Sequence, residues 1–207
     1  LPLDHAWSLS SALRTAAPWL EDNAHTAIHL IHGAESGNGW MRPEDDENAI
    51  LHLSRRSRFT LRLHRDQVQH AQRLVNLELD IDGHPLHIGE YRQHPLIPQA
   101  TIFARHVVTQ ETFSEEEFLQ QLAPLIQGMG ITIRKMMGGR RHRFRTPAGI
   151  LTTRSLMISD LDKEESIFLP QKRIGEHPFL GMGKFLPQNG NAPVKDKHPH
   201  QLPPGRK

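Results

Sequence analysis

A chain of 207 residues, 37% apolar and 23% charged, is long enough for one or two small domains with buried cores. It has no cysteine, which excludes a disulfide framework and a cysteine-based zinc site. No run of eighteen apolar residues is present, so we expect a cytoplasmic protein with no membrane partner.

The net charge of +2 conceals a concentrated basic segment at residues 131–145. Removing its six cations from the total leaves −4 for the other 192 residues. A solvated loop is one interpretation, but the interleaved Phe144 and the glycines at 138–139 favour contact with nucleic acid. Arginine binds phosphates and guanine edges, and an aromatic ring can stack on a base. The six cations are Arg134, Lys135, Arg140, Arg141, Arg143 and Arg145.

The first half of the chain predicts an incomplete unit of mixed helices and strands. Only Leu1–Leu3 precede its first helix, so most of a first strand is missing. Residues 33–48, rich in glycine and acidic side chains, predict a long exposed loop. The predicted elements are a helix from 8 to 20, strands at 27–32 and 57–63, a helix at 66–75, and strands at 77–81 and 85–88.

The second half predicts a complete unit in the order βαββαβ, which is the ferredoxin-like arrangement. Ser114 with Glu117 three residues later indicates a capped helix start, and Pro170 is expected to end a later helix. The predicted elements are a strand at 101–108, a helix from 115 to 128, a strand from 131 into the basic segment, a strand at 150–159, a helix at 160–169 and a strand within 181–187.

The fold class is therefore predicted as α+β, with two tandem ferredoxin-like domains, the first lacking most of its first strand. The predicted boundaries are residues 1–95 and 96–187, with prolines near residue 95 marking the junction. Residues 188–207 are rich in proline and contain no aromatic side chain, so we expect a disordered tail.

Two further segments indicate contact with phosphate. Gly181-Met182-Gly183-Lys184 combines a sharp turn, open backbone N–H groups and a positive charge ahead of a strand. Such a turn is common without any ligand, so the motif gains weight only beside the basic segment. A second basic group lies at the entrance of a predicted strand, either as a solvated edge or as another phosphate contact. It contains Arg55, Arg56 and Arg58.

Fifteen histidines are present, and the group His25, His29 and His32 is the most informative. On a helix the three would share one face and could bind zinc. Their β-branched surroundings favour a strand, on which His29 and His32 point to opposite faces, so we predict no metal site and no cofactor. Histidine is suited to proton transfer near neutral pH, and Lys or Arg can stabilise a crowded phosphate. That combination permits cleavage of RNA by attack of a 2′-hydroxyl on the adjacent phosphate.

Taken in order, several motifs resemble the CRISPR-associated repeat-processing endoribonuclease family. Each motif is weakly specific alone, but their order spans residues 3–187. The motifs are Leu3-Asp4-His5, Leu9-Ser10-Ser11-Ala12-Leu13, Pro18-Trp19-Leu20, the strand Leu53–Leu63, Phe103–Val108, Glu165–Leu169 and Gly181–Pro187.

The resemblance implies a protein that cuts the precursor CRISPR transcript within each repeat and stays bound to the mature stem-loop in an effector complex. It implies RNA contacts at the glycine turn (Gly181, Gly183 and Lys184) and a catalytic histidine after the first helix, either His29 or His32. We expect a 2′,3′-cyclic phosphate end and favour His29, because it lies within the strand. Two alternatives remain open: a non-catalytic RNA-binding subunit of such a complex, and a metal hydrolase built on the histidines.

Overall fold

The computed structural model describes residues 1–32, 49–55 and 57–187. Residues 33–48, Arg56 and the predicted tail at 188–207 lie outside the described residues. The regular elements are three α-helices and eight strands within those ranges. They are α1 (Ala6–Ala16), β1 (Ala27–His29), β2 (Thr60–Arg62), β3 (Glu78–Ile81), β4 (His84–His87), β5 (Ile102–Val108), α2 (Glu115–Gly128), β6 (Lys135–Thr146), β7 (Gly149–Ser159), α3 (Lys163–Gln171) and β8 (Leu186–Pro187).

The second half builds one four-stranded antiparallel sheet with the order β6-β7-β5-β8. Its first strand, β5, lies between the third and the fourth, and one helix follows β5 and another follows β7. The elements of this half thus follow the predicted order βαββαβ. The hairpin β6–β7 is much the longest pairing and extends well beyond β5 and β8. The part of the basic segment that carries Arg143 and Arg145 therefore extends beyond β5 on a two-stranded arm.

The core of this half lies between the sheet and its two helices. Phe118, Leu122 and Ile126 form the buried stripe of α2 against Ile102 and Leu156 of the sheet. Ser114 and Glu117 form the predicted capping box at the start of α2. A second capping box, between Asp162 and Glu165, begins α3. Pro170 lies within the last turn of α3 and does not end the helix at residue 169.

The first half keeps the predicted order of elements but pairs its described strands in two separate two-stranded sheets, β1-β2 and β3-β4. Leu1–Leu3 make a short antiparallel contact with residues 49–51, through the bridge Pro2–Ile50 and flanking backbone hydrogen bonds. Pro18 divides the predicted helix 8–20 into α1 and a 3-10 helix, because proline lacks the N–H that a continuous helix needs. A 3-10 helix at Arg65–Leu74 replaces the predicted second helix.

The two halves share a buried apolar cluster. Leu30 from the first half packs with Phe144 of the hairpin and with Leu180 and Met182 of the glycine turn. His5 adds a polar contact next to Leu30, because its Nε2 accepts the Ile31 N–H at 3.1 Å. The end of β1, the glycine turn and the hairpin are therefore held together by one set of contacts.

The glycine turn supplies a test of this packing. Gly183 has a φ of +67°, and an added Cβ would lie 1.9 Å from the Ile174 carbonyl oxygen, whereas Gly175, at a φ of +79°, has open space around it. We expect Gly183→Ala to lower the free energy of unfolding by about 2–5 kcal/mol and Gly175→Ala by only about 1–2 kcal/mol. Equal midpoint shifts in urea unfolding would show that the close approach at Gly183 is unimportant.

Candidate functional site

The glycine turn lies directly against β1 and the residue that follows it. A Cβ at Gly181 would lie 3.3 Å from the Ile28 carbonyl oxygen and 3.3 Å from the Leu30 nitrogen. The Gly183 N–H donates to the His106 carbonyl at 2.7 Å, so the turn is also tied to β5. This N–H is used within the fold and is not open to a phosphate in this structure.

The turn directs Lys184 inward, toward His29. Lys184 is 3% exposed, and its Nζ donates to the Lys172 carbonyl at 3.2 Å. Arg62 approaches from β2 and donates to the Phe185 carbonyl at 3.2 Å. Within the described ranges, neither Arg62 nor Lys184 forms an ion pair with a carboxylate.

His29 is buried beside these cations. Burial, together with the charges of Arg62, Lys184 and Arg105, lowers the pKa of His29 to about 3, so the ring is neutral at physiological pH. Its Nε2 is buried and has no hydrogen-bond partner among the described residues. Burial and the neighbouring Arg62 and Arg173 lower the pKa of Lys184 to about 8, so this amine keeps its proton at neutral pH. The arrangement is a neutral imidazole next to Arg62 and Lys184, which form no ion pair with a carboxylate among the described residues, and it is attractive to an anion.

His32 lies in a different environment, in a group of three histidines. Its ring centroid is 6.3 Å from that of His106, which is 5.0 Å from that of His142. His106 is buried, packs edge-on against Phe144 and contacts the Thr153 hydroxyl. The structure therefore separates the two histidines of the catalytic prediction: His29 faces the cations, and His32 joins this imidazole group.

The histidines give no metal centre among the described residues. No three histidine or acidic side chains there are arranged to hold an ion. The alternative of a metal hydrolase therefore gains no support from the described geometry. None of the helices in those same ranges is long and apolar enough to span a membrane.

The basic segment occupies β6, where most of its cations have acidic partners. Arg134 donates to the Glu165 carboxylate at 2.7 Å and to the Thr132 and Asp160 carbonyls. Although burial opposes it, hydrogen bonds from the Asp162 and Thr132 N–H groups and from Arg134 hold the pKa of Glu165 below its usual value. The other ion pairs are Lys135 with Asp160, Arg143 with Glu111, and Arg145 with Asp4.

Arg140 and Arg141 differ from their neighbours. Arg141 donates to the Phe113 carbonyl, and no contact of Arg140 is seen within the described ranges. Arg55 and Arg58 are exposed, and Arg58 donates only to the Ser57 carbonyl. The structure thus places Arg55 and Arg58 at the surface, whereas Lys184 lies beside His29.

Sequence reasoning missed two members of the cation group, Arg62 and Arg105. Arg62 belongs to a strand that was predicted, but its position near His29 depends on the β1–β2 register, which pairs His29 with Thr60. Arg105 reaches the group from the second half of the chain. The basic character of the strand around Arg62 was the available signal, and no local pattern indicates which of its arginines approaches His29.

An α+β fold of antiparallel sheets, with a basic hairpin and a group of cations beside a buried histidine, defines a class of proteins suited to binding polyanions. The family described as "Cas6 Crispr" matches residues 1–190, which is most of the chain, and the chain belongs to this family. A curated relative, the CRISPR-associated endonuclease Cas6 of Myxococcus xanthus (strain DK1622), is 26% identical over 195 residues, covering 94% of this chain and 80% of the relative. The family resemblance inferred from the sequence motifs is confirmed.

Two solved structures share the fold. A CRISPR associated protein Cas6 superposes with a TM-score of 0.57 at 11% identity, covering 91% of this chain and 93% of the other. A structure described as a characterization of a Cas6-related gene from Pyrococcus furiosus gives a TM-score of 0.55 at 15% identity, covering 90% and 91% of the two chains. At these identities the likeness concerns the mixed α+β fold alone.

The low pKa of His29 predicts how stability depends on pH. The unfolded chain takes up a proton at this residue below its ordinary pKa of about 6.5, whereas the folded chain does so only near pH 3. Its contribution to stability is therefore complete above pH 6.5 and is lost as the pH falls toward 3. Between pH 7 and pH 5 we expect the wild type to lose about 2 kcal/mol relative to His29→Gln.

Urea unfolding at several pH values measures this difference. The exposed His87 supplies the matched control, since His87→Gln should keep the pH dependence of the wild type. Parallel curves for the wild type and His29→Gln would show that His29 is not held neutral by its surroundings.

Proposed function

We propose that this protein is an endoribonuclease that cleaves CRISPR precursor transcripts within the repeat, without a metal, and keeps the product stem-loop. The observation that carries the proposal is the group of buried Lys184, partly buried Arg62 and exposed Arg105 around His29, in a chain of the Cas6 family. The chemistry is transfer of a phosphoryl group within the RNA. The 2′-oxygen loses its proton and attacks the adjacent phosphorus, the bond from phosphorus to the 5′-oxygen breaks, and the departing 5′-oxygen takes up a proton from water. The products are a 2′,3′-cyclic phosphate and a 5′-hydroxyl.

Lys184 and Arg62 would stabilise the phosphate as negative charge accumulates on its oxygens. His29 would accept the proton of the 2′-hydroxyl, for which a neutral imidazole is the required form. Burial and the three cations lower its pKa in the free protein. A bound phosphate offsets the charge of those cations, so RNA binding would raise the pKa of His29 toward the range useful for catalysis.

We further propose that the chain folds as two ferredoxin-like domains, 1–95 and 96–187, and delivers the bound RNA to other effector subunits. The order of strands in the second half supports the first part of this proposal. The projecting basic hairpin β6–β7 supports retention of the stem-loop after cleavage. A complex of protein and cut RNA that survives size-exclusion chromatography is the expected result.

The test of catalysis is incubation with the repeat RNA encoded beside this gene, in excess chelator, followed by mapping of the ends. We expect one cut per repeat with a cyclic phosphate end. His29→Gln should slow cleavage about a hundredfold, as is typical when a general acid or base is lost, while RNA binding persists. A repeat carrying a single 2′-deoxy nucleotide at the cut should bind normally and remain intact.

His32→Gln is the matched variant, since His32 lies among other histidines instead of beside the cations. A defect confined to His32→Gln would transfer the catalytic role to the group of His32, His106 and His142. Normal rates in both single variants, or cleavage at the 2′-deoxy position, would contradict the proposed chemistry.

The burial of His29 favours one second candidate, a subunit that binds the stem-loop without cutting it. The residue is 7% exposed, so substrate reaches it only if its surroundings move. Tight binding of intact repeat with no cleavage product at any protein concentration would establish this alternative.

A further inference from the structure

We propose that RNA binds the hairpin at a β-bulge through Arg140 and Arg141, while the acidic partners of Arg143 and Arg145 compete with RNA for those two side chains. This inference rests on the proposed function, because it assumes that the partner is RNA. The basic segment then has two kinds of cation. Two arginines at the bulge have no carboxylate partner among the described residues, and the cations on either side form ion pairs.

The bulge is visible in the strand register. Gly138 pairs with Leu156 and Arg141 pairs with Arg154, so Gly139 and Arg140 together lie opposite one residue, Ser155. An extra residue of this kind bends a strand and changes the direction of its side chains. As a result Arg140 and Arg141 are both exposed, although neighbours on a regular strand point to opposite faces.

Gly139 makes the bulge possible. A Cβ at this position would lie 2.1 Å from the Ser155 hydroxyl oxygen, so only glycine fits without displacing that side chain. The Arg154 guanidinium also stabilises the backbone at Gly139, because its Nη1 donates to the Gly139 carbonyl at 2.8 Å. Arg154 is buried, and its Nε has no partner among the described residues, so it adds positive charge beneath the bulge.

The two cations nearer the tip of the hairpin form ion pairs with acidic side chains. Arg143 pairs with Glu111, and the Asp4 carboxylate accepts the backbone N–H of Arg145 at 2.8 Å besides facing its guanidinium at 3.9 Å. The Arg143–Glu111 pair is about half exposed, so it is worth about 1 kcal/mol or less and a phosphate can displace its carboxylate. Such an exchange replaces one anion with another and releases few counterions. The Asp4 side chain is 21% exposed and also accepts a backbone N–H, so it competes more strongly for Arg145.

Nearer the base of the hairpin, Arg134 and Lys135 are held by Glu165 and Asp160 in contacts that connect β6 to the start of α3. Charge complementarity therefore concentrates RNA phosphate at the bulge, where Arg140 and Arg141 form no ion pair among the described residues and the neighbouring Glu115 carboxylate accepts the Gly138 N–H at 3.1 Å instead. A phosphate that binds at the bulge therefore gains the most electrostatic free energy, because it displaces no carboxylate from Arg140 or Arg141.

The dependence of binding on salt tests this inference. Each unpaired cation that meets a phosphate contributes about 0.7–0.9 to the slope of log affinity against log salt. The probe is the repeat RNA with a 2′-deoxy nucleotide at the cut, so that binding is measured without turnover. We expect Arg140→Gln to weaken binding about tenfold at low salt. The slope of log affinity against log salt should fall by about 0.7–0.9. Arg143→Gln should weaken binding less than about threefold, with little change in slope.

Glu111→Gln is the decisive variant, because it removes a negative charge and touches no other described cation of the hairpin. It should tighten binding by about two- to fivefold and steepen the slope. The double variant Arg143→Gln with Glu111→Gln keeps the net charge and should resemble the wild type. Lys135→Gln is the control at the base of the hairpin and should change the slope little.

Equal losses for Arg140→Gln and Arg143→Gln, or unchanged affinity in Glu111→Gln, would overturn the inference. In that case wild-type binding and cleavage remain intact, which leaves the proposed function standing. Failure of the wild type itself to bind the repeat RNA would overturn both.

Discussion

The close approach of the glycine turn to β1 is the constraint on which the site depends. Gly181 leaves no room for a side chain beside the backbone at Ile28 and Leu30, and Gly183 leaves none beside Ile174. Because the backbone is pressed against the first half of the chain here, the next residue, Lys184, is directed into the interior. The cation group around His29 is therefore a product of backbone packing and not of local charge attraction.

Placing several cations and an imidazole together is costly unless an anion joins them. The low pKa values of His29 and Lys184 express that cost, because burial and like charges both disfavour protonation. A site kept short of negative charge gains free energy when a phosphate arrives, and the same phosphate raises the basicity of the imidazole. In the proposed mechanism, binding of the phosphate and activation of the proton acceptor are coupled through this one charge.

Local patterns were sufficient for some elements. Ser114 and Glu117 predicted the start of α2, and the alternation around Ile102–Val108 predicted β5, because capping and strand periodicity are properties of a few neighbouring residues. Pro18 could have predicted the break after α1 for the same reason. The strand after the glycine turn lies within the predicted range 181–187, and among the described residues Leu186–Pro187 pair with β5.

The composition of the site could be predicted only in part. His29 and Lys184 were both selected from their local context, yet 155 positions separate them along the chain, and only the tertiary packing shows that they meet. The acidic partners of the hairpin posed the same difficulty. Nothing near Arg143 or Arg145 indicates that Glu111 and Asp4 would reach them from other elements.

These acidic partners change the distribution of net charge along the basic segment. A count of six cations suggests a uniformly positive arm, whereas the structure opposes most of that charge with carboxylates and leaves the bulge exposed. The Glu111 carboxylate beside Arg143 restrains the hairpin only weakly, because half-exposed ion pairs contribute little to stability. The Asp4 carboxylate beside Arg145 is less exposed and also accepts a backbone N–H. Their larger effect is on binding, because a fully uncompensated arm would attract any polyanion over long range, while a locally uncompensated bulge favours an RNA that presents a phosphate at that one place.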